Sequence, residues 1–361
     1  YNFWGFNGAA SPVFKALTSN KSYASQILDG TIPASDAALF ALMGVDPLKS
    51  VSYYYTNRDI IRVLADFQGN ITPHLLWAGG ISYWNFRMGD INEGKYGYDA
   101  KSTLYNHYKQ YGVIRDSEAK GGNRLELKAG LVYDSRDFET APNKGIWSEI
   151  YVNGSPDVFG DGFNYLKLSA HFRHYVRIPF GLKVGDPVFA YHLAYQETVA
   201  GKAPFYIQQN VTALILMQLM SEGLGSSNTL RGTHANRLIG DGYAWGNFEL
   251  RIKIVNFKLL KQNFYLAANP FFDCGMIVQP YRVHEMSALP EIGVLTLEAG
   301  YKPAETEKYI RNMAHQVIYS AGAGLKLAWN QNFILSAEVA HNFNTGIGDP
   351  FWISLGTNYC F

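Results

Sequence analysis

The sequence predicts an all-β protein, a transmembrane antiparallel β-barrel, on three observations. Only 17% of the 361 residues are charged, against roughly 25% in soluble domains. Aromatic residues reach 15%, and there are 35 glycines. The longest apolar run, Val211 to Met220, is half the ~20 residues a spanning helix needs. Low charge, many rings and no spanning helix leave the barrel as the membrane fold. The net charge of +1 excludes a broad electrostatic footprint for nucleic acid. Two cysteines are too few for a disulfide framework. Tyr1 opens inside an apolar-aromatic segment with no signal peptide, as expected of a processed or truncated product.

Each strand is justified by period-two alternation, since a barrel strand sets a lipid-facing apolar residue against a lumen-facing polar one. The first clear segment is near 52–67, and the second is 71–87. Over 124–137, Leu125, Leu127, Ala129, Leu131 and Tyr133 share one face, opposite Arg124, Glu126 and Lys128. A segment at 146–154 follows. Over 165–178, Leu166, Leu168, Phe172 and Val176 oppose Lys167, Ser169, His171 and Arg173. Further segments lie at 187–200, 243–257, 262–278, 316–330 and 332–344. The last sets Phe351, Ile353, Leu355, Thr357, Tyr359 and Phe361 against Trp352, Ser354, Gly356, Asn358 and Cys360. A soluble β-sandwich also alternates, but its strands average five or six residues, and charged faces mixed with glycine suit a watery lumen better. That makes eleven strands, with a possible twelfth from Tyr1 to about Phe6. An even count is the rule for bacterial barrels, so either the barrel has twelve strands or earlier strands precede Tyr1. Residues 1–361 are expected to form a single domain.

The links alternate short and long. Turns near 68, 142, 182, 260 and 331 are short, whereas 88–122, 201–242 and 279–315 are long. Barrels of the outer membrane have short periplasmic turns and longer extracellular loops, which places the turns, and Phe361, on the periplasmic side.

Three stretches resemble the BamA/TamA superfamily of outer-membrane assembly factors, the bacterial surface antigens. Gly130-Leu-Val-Tyr-Asp-Ser-Arg-Asp137 with Pro142-Asn-Lys-Gly145 is similar to the family's strand–turn–strand motif, carried here by Asp134, Arg136, Asp137, Pro142 and Gly145. Pro204-Phe-Tyr206 and Leu224 to Gly232 resemble its long loop, which folds into the lumen and carries an Arg-Gly tip. Asn247 to Arg251 and Phe272 to Gly275 are like its next two strands. The resemblance covers about 120–361. It implies a sixteen-stranded barrel with five strands after the inserted loop, 201–242, and about four before Tyr1. Two features depart from the pattern. Thr233 follows Arg231-Gly232 where an aromatic is usual, and residues 208–223 read as an apolar, possibly helical insertion. Nothing in the chain resembles the periplasmic POTRA modules.

Parity places Glu249, Arg251 and Lys253 on the lumen face, and Asp273 beside Asn269 and Gly275. The resemblance implies that Arg231 is clamped by Glu249 and Asp273, and a planar guanidinium suits two carboxylates. Solvated, independent lumen charges are the alternative. Tyr359 and Phe361 read both as lipid-facing aromatics of a girdle and as the terminal signal by which outer-membrane proteins are recognised. His171 and His174 stand three apart on a strand, so they face opposite sides, and no metal ligand set emerges. No cofactor and no enzymatic activity are expected. The resemblance implies non-enzymatic insertion or translocation of proteins in the bacterial outer membrane, working at the seam between first and last strands. Its partners would be outer-membrane lipids, client outer-membrane proteins and accessory lipoproteins. A POTRA-less relative or porin-like channel gated by its inserted loop is the alternative.

Overall fold

A computed structural model of the chain describes residues 3, 5–6, 51–110, 113–212, 219–221, 223–281, 315–330, 333–344, 351–357 and 359–361. Eleven strands form one antiparallel sheet in sequence order, the wall of a β-barrel. The first six are β1 (Asn57–Asn70), β2 (Leu75–Gly89), β3 (Gly121–Asp134), β4 (Gly145–Ser155), β5 (Tyr165–Arg177) and β6 (Val188–Gly201). A short hairpin, β7 (Asn210–Thr212) and β8 (Leu219–Ser221), lies outside the sheet. The wall resumes with β9 (Gly242–Leu259), β10 (Gln262–Gln279), β11 (Ile318–Trp329), β12 (Phe333–Asn342) and β13 (Trp352–Thr357).

The alternation is physical. In β5, Tyr165, Lys167, Ser169, His171, Arg173 and Tyr175 are buried, while the residues between them are not. Polar side chains therefore turn inward and apolar ones outward. Leu127, Leu131, Leu335, Ile353 and Leu355 are among the exposed apolar residues of the outer face. Within the paired stretches, neighbouring strands satisfy one another's backbone groups, which hydrocarbon demands.

The structure departs from the sequence reading at four places. Val51–Tyr54 is a 3-10 turn, so β1 begins at Asn57. Phe3, Gly5 and Phe6 lie outside any strand, and Tyr1, Asn2 and Trp4 fall outside the described residues. Phe3 donates its N–H to Tyr54 O (2.6 Å), and its ring sits edge-on to Phe6 and Tyr108, so these rings gain more in an aromatic cluster than on lipid. Within 208–223, the described part is the β7–β8 hairpin rather than a helix, because Val211 packs fully buried among Leu224, Leu230, Leu238, Tyr243 and Ile277. β-branched Val211 suits that pairing. The fourth departure is the tail. The strand ends at Thr357, and Tyr359 and Phe361 turn inward instead of continuing the lipid-facing parity.

The long links leave the sheet at one end. The β2–β3 link carries α1 (Glu93–Tyr96), α2 (Leu104–Gln110) and α3 (Asp116–Ala119). Tyr105 and Tyr108 of α2 join a buried cluster with Phe3, Phe6, Trp84, Phe86, Phe205, Tyr206 and Tyr281. At its centre, buried Glu118 accepts the N–H of Phe205 (2.7 Å) and the hydroxyl of Tyr281 (3.4 Å). Burial raises the Glu118 carboxyl above its ordinary range, against the pull of these donors.

Candidate functional site

The segment after β6 folds against the inward face of the wall. Its two ends are tied at a neck. Gln208 bonds to Asp241, Lys167 Nζ donates to Gln208 Oε1 (3.0 Å), and Tyr243 Oη donates to Gln208 O (2.7 Å). From that neck the chain reaches a tip at Arg231. Thr229, Leu230, Arg231, Gly232 and Thr233 are all buried.

The tip meets three carboxylates. Arg231 Nε and Nη2 grip Asp273 bidentately, at 2.7 Å and 2.8 Å. Nη1 donates to Glu249 Oε1 (2.6 Å) and to Glu338 Oε1 (3.3 Å). The backbone N–H of Arg231 adds a bond to Asp273 Oδ2 (3.1 Å). The guanidinium carbon lies 3.5 Å from the Phe271 ring centroid, a stacked cation–π contact. Parity brings Glu249 and Asp273 here from β9 and β10, where they point inward as the sequence implies. Gly232, at φ +80°, lets the backbone turn between Ser320 and Ala340, whose Cβ atoms would stand 3.3 Å and 3.4 Å from an added Cβ. A non-glycine residue would be both strained and crowded there.

Two members of this cluster, Lys326 and Glu338, escape the sequence reading. Glu338 on β12 takes Lys326 Nζ (2.6 Å) as well as Arg231, and Arg251 Nε donates to Glu249 Oε2 (3.0 Å). Arg231, Arg251 and Lys326 thus face Asp273, Glu249 and Glu338, three cations against three anions, all buried. Neutrality permits such burial, because an uncompensated charge is costly inside. A signal for the missed pair exists. Lys326 is the only Lys, Arg, Asp or Glu in β11, and Glu338 the only one in β12. Gly324 makes room for Glu338, since a Cβ there would meet its Cγ at 2.8 Å.

The tail lies beneath the cluster. The Arg251 guanidinium stacks on Tyr359 (3.9 Å), and Arg251 Nη2 donates to Phe361 O (2.8 Å). Phe361 packs on Tyr175, Val188 and Ala190, while Tyr359 packs with Tyr265, Ala267 and Ala141. Ala141 comes from the β3–β4 turn, so the strand–turn motif and the tail meet. In that turn Arg136 chelates Asp134 (3.0 Å from both Nε and Nη2) and stacks on Trp147 (4.2 Å). Asp137 accepts the N–H groups of Asn143 (2.8 Å) and Lys144 (3.2 Å). Burial pushes the Asp137 carboxyl up, but these donors outweigh it and hold it below the usual carboxylate range. Pro142 lines the small cavity beside Tyr359 and Arg251. Gly145 adopts φ +109°, and a Cβ would collide with Ser135 O.

His171 is buried and contacts His192 (3.0 Å), whereas His174 meets Tyr191 on the outer face (3.1 Å). Cys274 and Cys360 are free thiols.

The Omp85 superfamily domain matches residues 81–357, most of the chain. The chain belongs to the Omp85 superfamily. No curated protein sequence matches it. Among solved structures, this Omp85 chain is similar to BamA from Haemophilus ducreyi, crystallised without POTRA domains 1–3. The TM-score is 0.53 and the identity 14%, over 84% of this chain and 55% of that one. At that identity the likeness is one of fold, and the chain spans about half the length of that relative. Outer-membrane β-barrel architecture and a place in a protein insertion and translocation family follow from the superfamily match.

Proposed function

We propose that this Omp85 barrel inserts or translocates client proteins at the bacterial outer membrane without enzymatic chemistry, using the terminal strand of its sheet as a template. The observation that carries this reading is the shortness of the last strand of the sheet. β13 has only 6 residues, and it pairs with β12 alone among the described residues. A short strand with Gly356 near its end holds a neighbour weakly, and its free edge is suited to β-augmentation. The Arg231 cluster supports the reading by fixing the loop against β9, β10 and β12, so the loop is a rigid backing for the moving seam. Client outer-membrane proteins, accessory lipoproteins and a periplasmic tail belong to the same proposal.

Proteoliposomes carrying the protein test it. Urea-unfolded outer-membrane proteins should fold faster into them than into empty liposomes. Tethering β13 to β12 by a disulfide between cysteines at Ser354 and Glu338 would break the cluster, so the pair Ile353 and Val339, opposite one another on the outer face, is preferable. That tether should leave acceleration intact, while a bulky adduct on Leu355 should remove it. Steady ion conductance with no acceleration of client folding would instead favour the loop-gated channel.

A further inference from the structure

The β9–β10 hairpin outreaches its neighbour. β6 pairs with β9 only up to Val188↔Arg251, yet β9 continues to Leu259. Ile252–Leu259 therefore has β10 on one side and no strand on the other, among the described residues. The β5–β6 turn covers part of the gap, with Asn256 Nδ2 donating to Val184 O (2.9 Å) and Gly185 lying against the Lys253 side chain. A bulge at Ile254 adds to the irregularity. Unpaired backbone groups are intolerable in hydrocarbon, so this edge must lie at the headgroup level or find a polar partner.

We propose that this notch binds the phosphate headgroup of an anionic phospholipid in the leaflet at the short-turn end. A cavity of about 450 Å³ opens beside it over the β9–β10 hairpin, lined by Lys253, Asn256, Lys258, Asn263, Phe257 and Tyr265 among others. Two ammonium groups and two carboxamides face one space, the chemistry that holds a phosphodiester. The stretch from Leu250 to Phe272 contains Arg251, Lys253, Lys258 and Lys261 and no carboxylate. Of the acids in the adjacent turns, Asp186 is paired with Arg177 (2.8 Å), and Asp137 accepts from Asn143 and Lys144 while its charge also reaches Lys253. On the outer face of the same hairpin, across the free β9 edge, runs an apolar shelf. Phe257 stacks on Phe264 (5.4 Å) and Phe264 on Trp329 (5.9 Å), with Leu260 87% exposed at the tip. Basic head and apolar shelf together match an amphiphile better than an acidic peptide, which would leave the shelf bare. The proposal rests on the membrane-spanning fold and not on the insertion reading.

The test places the full chain in nanodiscs of phosphatidylcholine with one part in five phosphatidylglycerol, and counts retained lipid by native mass spectrometry. Phosphatidylglycerol should be enriched over its bulk share. Its affinity should fall about fivefold in K258Q and about twenty-five-fold in K253Q/K258Q, from the typical contribution of a lysine near an anionic surface. Heat-modifiability on a gel checks folding. If the double variant does not fold, K258Q alone decides, because Lys258 is exposed. Equal retention in folded variants and wild type overturns the proposal. So does displacement by inorganic phosphate at matched concentration, which would mark a simple anion site. Tighter binding of a decaglutamate peptide than of phosphatidylglycerol overturns it in favour of a peptide edge.

Discussion

Arg231 is the residue on which the inserted loop turns, and its surroundings decide what a substitution costs. Arg231→Ala would strand three buried carboxylates with two cations, so the loss of folding stability is expected near 3–5 kcal/mol. Heat-modifiability of the folded band and denaturant titration measure it. Glu249→Gln is expected to cost less, because the bidentate Asp273 grip survives, and Glu338→Gln less for Arg231 but more for Lys326. Equal losses for all three would show that the cluster does not centre on Arg231. Glu249 and Asp273 were legible because strand parity is strict and the resemblance points to an arginine in the loop. Glu338 and Lys326 carry the same parity, but no motif draws attention to them. The Phe271 ring under the guanidinium is legible only afterwards, from Gly322 opposite, where a Cβ would meet the ring at 2.5 Å.

At the level of elements, strands read well and everything else less so. All eleven wall strands follow from period two, since inward and outward environments differ so sharply. The β7–β8 hairpin and the tail were misread for one reason, that an apolar or aromatic run inside a barrel looks like one facing lipid. The lumen holds buried apolar clusters of its own, and parity does not separate the two surroundings. The cap over the long-link end offers a pH test. Burial raises the folded pKa of Glu118 above its unfolded value, so its contribution to cap stability is full below the unfolded pKa. That contribution is lost as pH rises through the folded pKa. Hydrogen exchange at Phe205–Ile207, corrected for the intrinsic rate, should show more protection at pH 5 than at pH 8. Glu118→Gln should flatten the difference, and an unchanged pH response in that variant would remove Glu118 as its source.

Across the whole molecule, the sequence order of the strands and the end of the sheet from which the long links depart are both open to reading, because antiparallel neighbours need only short turns. The full strand number is not, since a periodic pattern identifies individual strands and carries no signal for how many the sheet needs. The expected topology has a direct check in whole cells. In a Cys274→Ser/Cys360→Ser background, a cysteine at Asp116 should react with an impermeant maleimide, and one at Leu260 should react only after the outer membrane is permeabilised. Equal labelling of both in intact cells would reverse or abolish the assigned sidedness.

The tail carries a consequence for how this wall changes shape. Tyr359 and Phe361 follow β13 in the chain, yet Phe361 rests on β5 and β6, on the far side of the wall. The last three residues are thus a chord across an arc that runs through six strands. A chord has fixed length, so any widening of the arc pulls Phe361 away from Tyr175 or Arg251 away from Phe361 O before a single strand pair parts. The rings at its far end are a built-in gauge of girth. A reporter on Phe361 would register dilation of the wall in advance of any opening between strands.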